Sequence, residues 1–107
     1  MSFNSTHSLS PKTRYCAVLR RLSQNEKLLR AFGLAVRQER ERLGVPQDVF
    51  AEMASVHRTY VGSVERGERN ISLKNIASFA RALGISGSKL FAKAEALLEP
   101  LNSSSPD

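Results

Sequence analysis

The chain has 107 residues, 41% of them hydrophobic, which is enough for one modest core and too many for a disordered chain. No run approaches 18 apolar residues, no secretory start is visible, and the single cysteine, Cys16, rules out an internal disulfide and suits a reducing cytoplasm. Sixteen Lys+Arg against ten Asp+Glu leave a net charge of +6, a balance that favours nucleic acid as a partner, since phosphate attraction is independent of sequence.

The charge is uneven. Residues 1–27 carry five Lys/Arg against one Glu, residues 28–70 seven against six, and residues 71–107 four against three. This divides the chain into a basic N-terminal extension (1–23), a central domain (24–98) and a tail (99–107). The Ser/Thr/Asn-rich start and the tail, with two prolines and three consecutive serines, are expected to be disordered.

Between the ends the pattern is helical. Tyr15, Leu19 and Leu22 recur at helical spacing, with Arg14, Arg20 and Arg21 off that stripe, and predict a short extra N-terminal helix. Ser23 followed by Glu26 has capping-box spacing and predicts the start of the next helix, running to about Leu43. Leu28, Leu29, Phe32, Val36 and Leu43 share its apolar side, and Gly44 provides the stop. Pro46 fits the first turn of a helix over roughly 47–54, which buries Val49 or Phe50 together with Ala51 and Ala54. A three-residue break leads to a helix over roughly 58–66, with Val61 and Val64 inward and Gly67 as its end. Ser72 is an N-cap with Ile71 and Ile76 as a hydrophobic staple, and Gly84 closes that helix. Ser86 repeats the device with Ile85 and Leu90. No segment alternates like a strand, so the fold class is all-α: a compact five-helix domain.

Two short helices joined by a tight turn have the form of a helix-turn-helix. Counting from Gln47, apolar residues fall at Phe50, Ala54, Val61 and Val64, and small Ala51 stands where the second helix crosses closely over the first. The turn at Ser55-Val56 needs one residue of positive φ, and Ser55 can supply it at a cost of about 1 kcal/mol.

Gln47 to Gly67, with Arg-Thr-Tyr-Val at 58–61 and Val-Glu-Arg-Gly at 64–67, resembles the phage-repressor (Cro/Xre-like) helix-turn-helix family. Asn70-Ile-Ser-Leu-Lys-Asn-Ile and Ala82-Leu-Gly-Ile match the family's fourth helix and the turn after it. Within the family the chain is most similar to controller proteins of restriction–modification systems. The resemblance covers roughly Leu28 to Leu98. It implies that the helix from Arg58 is the recognition helix of a repressor-like domain, lying in the DNA major groove. Arg58, Thr59, Tyr60 and Ser63 then occupy base-facing positions, with Arg58 forking onto guanine O6 and N7. Gln47, Arg66, Arg69 and Asn70 match positions that anchor on the phosphate backbone. Arg40 and Glu65 match a structural ion pair. The chain departs from the pattern at Pro46, where Ser or Thr usually caps, and at Ser55, where Gly is usual.

Each signal has a plainer reading beside it. Tyr60 is either a DNA contact or a half-buried core aromatic, and the inward positions taken by Val61 and Val64 favour the contact. His57 reads as the cap of the recognition helix, with no metal role. Lys27, Arg30 and Arg37 read as a solvated face. The segment Lys12 to Arg21 is a flexible extension, a helix packed on the domain, or an arm on DNA, and the sequence does not choose.

The implied function is a transcriptional regulator that binds double-stranded DNA, at a (pseudo)palindromic operator, as a homodimer in the cytoplasm. Leu90, Phe91, Ala94, Leu97 and Leu98 give the last helix more apolar surface than a monomer of this size requires, and are assigned to the dimer interface. The alternative is an antitoxin, with the same DNA-binding domain and a terminal extension that holds a partner toxin. No paired carboxylates, nucleophile–base set, metal cluster or phosphate loop is present, so neither an enzyme nor a cofactor is expected.

Overall fold

The computed structural model describes the backbone of residues 11–103 and the side chains of residues 24–99. It contains five helices: α1 (Pro11–Arg42), α2 (Gln47–Ala54), α3 (Arg58–Glu65), α4 (Leu73–Leu83) and α5 (Gly87–Ser103). Among the described residues there is no strand. The expectations for residues 1–10 and 104–107 lie outside the described residues.

α1 sets the shape of the molecule. Its 32 residues span about 48 Å at the helical rise, close to the 51 Å long axis of a molecule 22 and 20 Å across. This corrects the expected break at Ser23: the separate N-terminal helix and its successor are one element. A capping box requires its serine to leave helical geometry and a new helix to nucleate, which is unfavourable. Keeping Ser23 inside a helix costs only a few tenths of a kcal/mol relative to alanine. No glycine or proline between Lys12 and Phe32 forces the break. At the other end α5 continues to Ser103, past the boundary expected at residue 98. Pro100 removes one N–H from the helix ladder there without ending it.

The remaining punctuation follows the sequence. Ser72 Oγ accepts the Asn75 N–H at 3.1 Å, and Ser86 Oγ accepts that of Lys89 at the same distance. Gly84 ends α4 in the left-handed conformation. Ser55 takes φ 59°, the single described non-glycine residue there. Pro46 and His57 occupy the N-cap positions of α2 and α3, but neither side chain makes a capping bond.

All five helices converge on one core. Phe32, Ala35 and Val36 of α1 meet Phe50, Ala51 and Ala54 of α2, Val61 and Val64 of α3, Phe79, Ala80 and Leu83 of α4, and Leu90 and Ala94 of α5. Phe50 and Phe79 pack edge to face, ring centroids 5.2 Å apart, an arrangement worth about 0.5–1.5 kcal/mol beyond burial. Phe50, not Val49, is the buried member of its pair. Leu43 is exposed, contrary to expectation, because the chain is already turning toward Gly44. Ala51 is buried as its position requires.

α1 also carries buried charge. Glu39 accepts from Arg42 on its own helix and from Lys93 Nζ of α5 at 2.9 Å, fastening the last helix to the first. The Lys93 bond, ahead of Arg42, holds the Glu39 carboxyl below its usual value of 4.5.

The closest approach of α1 to α3 depends on Gly33, which the sequence reading passed over. A Cβ at this position would collide with the Val64 carbonyl oxygen and lie 2.6 Å from that of Glu65. Because the obstacle is backbone, the helices themselves must separate. Gly33→Ala is therefore expected to destabilise the domain by about 1–3 kcal/mol, the range of overpacked cores. Urea denaturation checks this; an unchanged midpoint would contradict it.

Candidate nucleic-acid interface

The surface around α3 is organised from beneath by one charged knot. Arg40 of α1 donates from Nε to Glu65 Oε2 at 2.7 Å and from Nη2 to Oε1 at 3.0 Å. Its Nη1 reaches the Val45 carbonyl at 2.9 Å. Gln47 Nε2 donates to the same Glu65 Oε1 at 3.0 Å. The side chains of Arg40 and Glu65 are only 10% and 4% exposed. Hydrogen bonding to Glu65 raises the Arg40 pKa above its ordinary value. The ion pair expected from the family resemblance is thus present, and it ties α1, the α1–α2 turn, α2 and α3 at one point.

On this base α3 presents its first turn outward. Arg58 and Thr59 are exposed there, after the extended residue His57. Two hollows flank the helix. One, about 310 Å³, is lined by Gln47, Arg58, Thr59, Gly62 and Arg66. The other, about 520 Å³, is lined by Val56, His57, Thr59, Tyr60, Ser63, Arg69 and Asn75. Thr59 borders both. The structure therefore brings together Arg58, Thr59, Tyr60, Ser63, Gln47, Arg66 and Arg69. Asn70 lines neither hollow and stands exposed in the following loop.

Several of these side chains are already engaged. Tyr60 is half-buried, its ring edge-on to Phe79 at 6.1 Å. Its hydroxyl accepts from Asn75 Nδ2 at 3.0 Å, and the Arg69 guanidinium lies over its ring, 5.3 Å from the centroid. The core-aromatic reading of Tyr60 therefore has direct geometric support. A cation over an aromatic face is held by about 0.5–1 kcal/mol at an exposed site, so Tyr60 serves as a platform that orients Arg69. Ser63 Oγ donates to the Tyr60 carbonyl at 2.8 Å, which leaves its lone pairs outward. Arg66 is paired with Glu68 at 3.0 Å in open solvent.

Asn75 was missed by sequence reasoning. It lies on α4, 15 residues from Tyr60, and no local signal connects the two. Gly62 was missed for a different reason: a side chain there would meet Arg66 Nη1 at 3.1 Å and narrow the hollow between Gln47 and Arg66.

The expected dimer residues divide. Leu90 and Ala94 are fully buried in the core of a single chain, which corrects their assignment to an outer surface. At helical spacing they are the stripe that docks α5 on α1. Leu97 and Leu98 are half-buried, and Phe91 is 39% exposed. Phe91 lines an almost wholly apolar groove of about 440 Å³ with Leu73, Ile76, Ala77, Gly87 and Ser88, and Leu73 is 83% exposed. Among the described residues no cluster of His, Cys, Asp and Glu fits a metal ion, and no helix is long and apolar enough to cross a membrane.

A helix-turn-helix family pattern matches residues 36–90. Control protein C.BamHI of Bacillus amyloliquefaciens is 42% identical over 65 residues, 60% of this chain and 78% of that protein. The crystal structure of the restriction–modification controller protein C.AhdI from Aeromonas hydrophila has 44% identity and a TM-score of 0.57, covering 58% of this chain and 94% of that one. Controller protein C.Esp1396I, solved as a tetramer with its natural 35 base-pair operator, shares the fold at 24% identity and a TM-score of 0.62, over 66% of this chain and 93% of that one.

The knot generates a stability prediction. Glu65→Ala leaves Arg40 buried and unpaired and is expected to cost about 3–5 kcal/mol. Replacing both residues with apolar side chains of similar volume (Arg40→Met with Glu65→Leu) should recover most of that loss. Denaturant titration of the three variants checks it. A double variant as unstable as the single one would show that the pair itself, not the orphaned charge, dominates.

Proposed function

Because the chain belongs to the helix-turn-helix family, among the restriction–modification controller proteins, we propose that it is a sequence-specific transcriptional regulator that binds a (pseudo)palindromic operator as a homodimer. The observation that carries this reading is the exposed first turn of α3 between two hollows, one lined by Gln47 and Arg66 and the other by Arg69. A helix entering the major groove needs that arrangement, with short-range readers in the middle and cations at the rims.

Arg58 is the reader in this scheme, forking onto guanine, with Thr59 beside it for a thymine methyl or a phosphate. Arg69, held over Tyr60, and Arg66 grip the backbone on either side. Gln47 has given one amide N–H to Glu65, so its backbone contact comes from the remaining N–H groups at the start of α2. One such helix reads only a few base pairs, so specificity calls for two half-sites about one helical turn apart. The groove of Leu73, Ile76, Ala77 and Phe91 is the best-placed apolar surface for the two-fold contact. Regulation then follows protein concentration, in the compartment that holds the DNA.

The division of labour is testable. Arg58→Ala is expected to cost roughly 1–3 kcal/mol per half-site and to relax preference at one base pair. Arg69→Ala should weaken binding to specific and random duplexes alike and lower the salt slope by about one unit per lost contact. Titrations of both variants on operator and scrambled DNA across a salt series separate the roles. Equal losses on both duplexes for Arg58→Ala would make it an anchor and overturn the assignment.

Self-association has its own test. Leu73 is so exposed that Leu73→Glu should leave folding intact. If the groove is the two-fold contact, that variant sediments as a monomer at tens of micromolar and loses operator affinity. A wild-type chain that is monomeric at the same concentration would contradict the dimer.

A further inference from the structure

Asn75 reaches from the first turn of α4 across to α3. Ser72 caps that turn: its hydroxyl accepts the Asn75 N–H at 3.1 Å and its carbonyl accepts the Ile76 N–H at 2.8 Å. Asn75 thus stands at the third helical position, where a Gln or Glu would reach back to close a capping box. Its shorter amide instead donates from Nδ2 to the Tyr60 hydroxyl at 3.0 Å. α4 does not depend on this bond for its place, because Phe79, Ala80 and Leu83 already seat it in the core.

The direction of the bond decides what the hydroxyl can do. A phenol keeps its O–H near the plane of the ring, where conjugation holds it, on one side of the oxygen or the other. Asn75 donates into one side, so the hydrogen takes the other. An oxygen that accepts a hydrogen bond is also a better donor. Among the described residues the hydroxyl has Asn75 as its partner and no acceptor for its hydrogen. The ring itself is held still, edge-on to Phe79 at 6.1 Å and with the Arg69 guanidinium over its face. Tyr60, Asn75 and Arg69 line the same 520 Å³ hollow beside α3, and no carboxylate is among the residues that line it. An anion entering there meets a cation and a neutral donor carried on one ring.

We propose that Asn75 is a positioning residue for DNA binding: by donating to the Tyr60 hydroxyl it leaves the phenolic hydrogen to a phosphate oxygen of the duplex, on the phosphate that Arg69 grips from the face of the same ring. The proposal rests on the reading of α3 as a DNA-recognition helix and extends the binding machinery to α4, beyond the two helices of the motif. A phosphate has two unesterified oxygens, so it can accept from the phenol and the guanidinium together. Such a contact adds affinity without reading sequence.

Reversing the bond tests this. Asn75→Asp keeps a partner for Tyr60, but a carboxylate only accepts, so it takes the phenolic hydrogen for itself. An acid in the first turn of a helix is favourable, so folding should be retained. The added negative charge repels DNA as well, and Tyr60→Phe isolates that part, because the ring and its Arg69 contact stay while the hydroxyl goes. Full-length wild type, Tyr60→Phe, Asn75→Asp and the double variant are titrated on DNA from the protein's own promoter region and on a random-sequence duplex, across a salt series. Tyr60→Phe is expected to bind both duplexes about tenfold more weakly per protomer, the loss of one hydrogen bond to a charged group. Its salt slope should not change, because a neutral donor releases no counterion. Asn75→Asp alone should cost about tenfold more per protomer than the same change made on top of Tyr60→Phe. Equal costs in the two backgrounds would reduce its effect to charge, leave the bond as a mere tie between helices, and overturn the proposal. Wild-type binding by Tyr60→Phe would overturn it too. A Tyr60→Phe loss confined to the promoter DNA would put the acceptor on a base and overturn the phosphate assignment. Arg58→Ala is run alongside. If Arg58→Ala weakens binding and Tyr60→Phe does not, the role of Asn75 fails and the recognition helix stands. A wild-type chain that binds neither duplex overturns the recognition-helix reading itself.

Discussion

The Arg40–Glu65 knot is the constraint on which the rest of the interface depends. Two short helices of eight residues each are far too short to hold their shape alone, so their mutual angle must be imposed from outside. The apolar contacts of Phe50, Ala51, Val61 and Val64 draw α2 and α3 together but are not directional. The guanidinium fork is directional. It sets Glu65 against α1, turns the α1–α2 connection through Val45, and brings Gln47 to the same carboxylate. A buried ion pair adds little net stability, because desolvation offsets its attraction. Its value here is geometric: one arrangement of three helices gives the Glu65 carboxylate its three donors, and others leave a charge orphaned.

Above the knot, α3 carries its side chains in a graded way. Arg58 and Thr59 are exposed and adaptable at the first turn. Tyr60, the next residue, and Ser63, one turn beyond, are partly committed to the protein's own bonds. Arg69 stands beyond the helix but is tied back to it through the Tyr60 ring. A cation kept over an aromatic face loses less side-chain entropy when it meets a phosphate than a freely moving one.

Much of this was legible because the signals are local. Ser72, Gly84 and Ser86 act on backbone groups within four residues of themselves, and those helix ends were read correctly. Ala51 and Ser55 were legible through the spacing of a turn that admits few residue types. The failures are tertiary. Ser23 has the spacing of a cap but the continuing helix around it prevails. Leu90 and Ala94 are apolar in a way that does not distinguish the packing of α5 on α1 from a surface awaiting a second chain. Tyr60 looked outward by elimination, since Val61 and Val64 fill the core, yet Phe79 and Asn75 on a distant helix claim one edge and the hydroxyl. Gly33 is informative only once α3 is known to lie across it.

The central claim is that the knot presents the first turn of α3 to the floor of the major groove. Dimethyl sulfate methylation of guanine N7 reports on that groove directly, and the full-length protein on DNA from its own promoter region is the sample. Protection of guanine N7 in two patches about one helical turn apart is the predicted result. Saturated binding with guanine N7 unprotected throughout would contradict the account, because it would mean that α3 does not enter the groove.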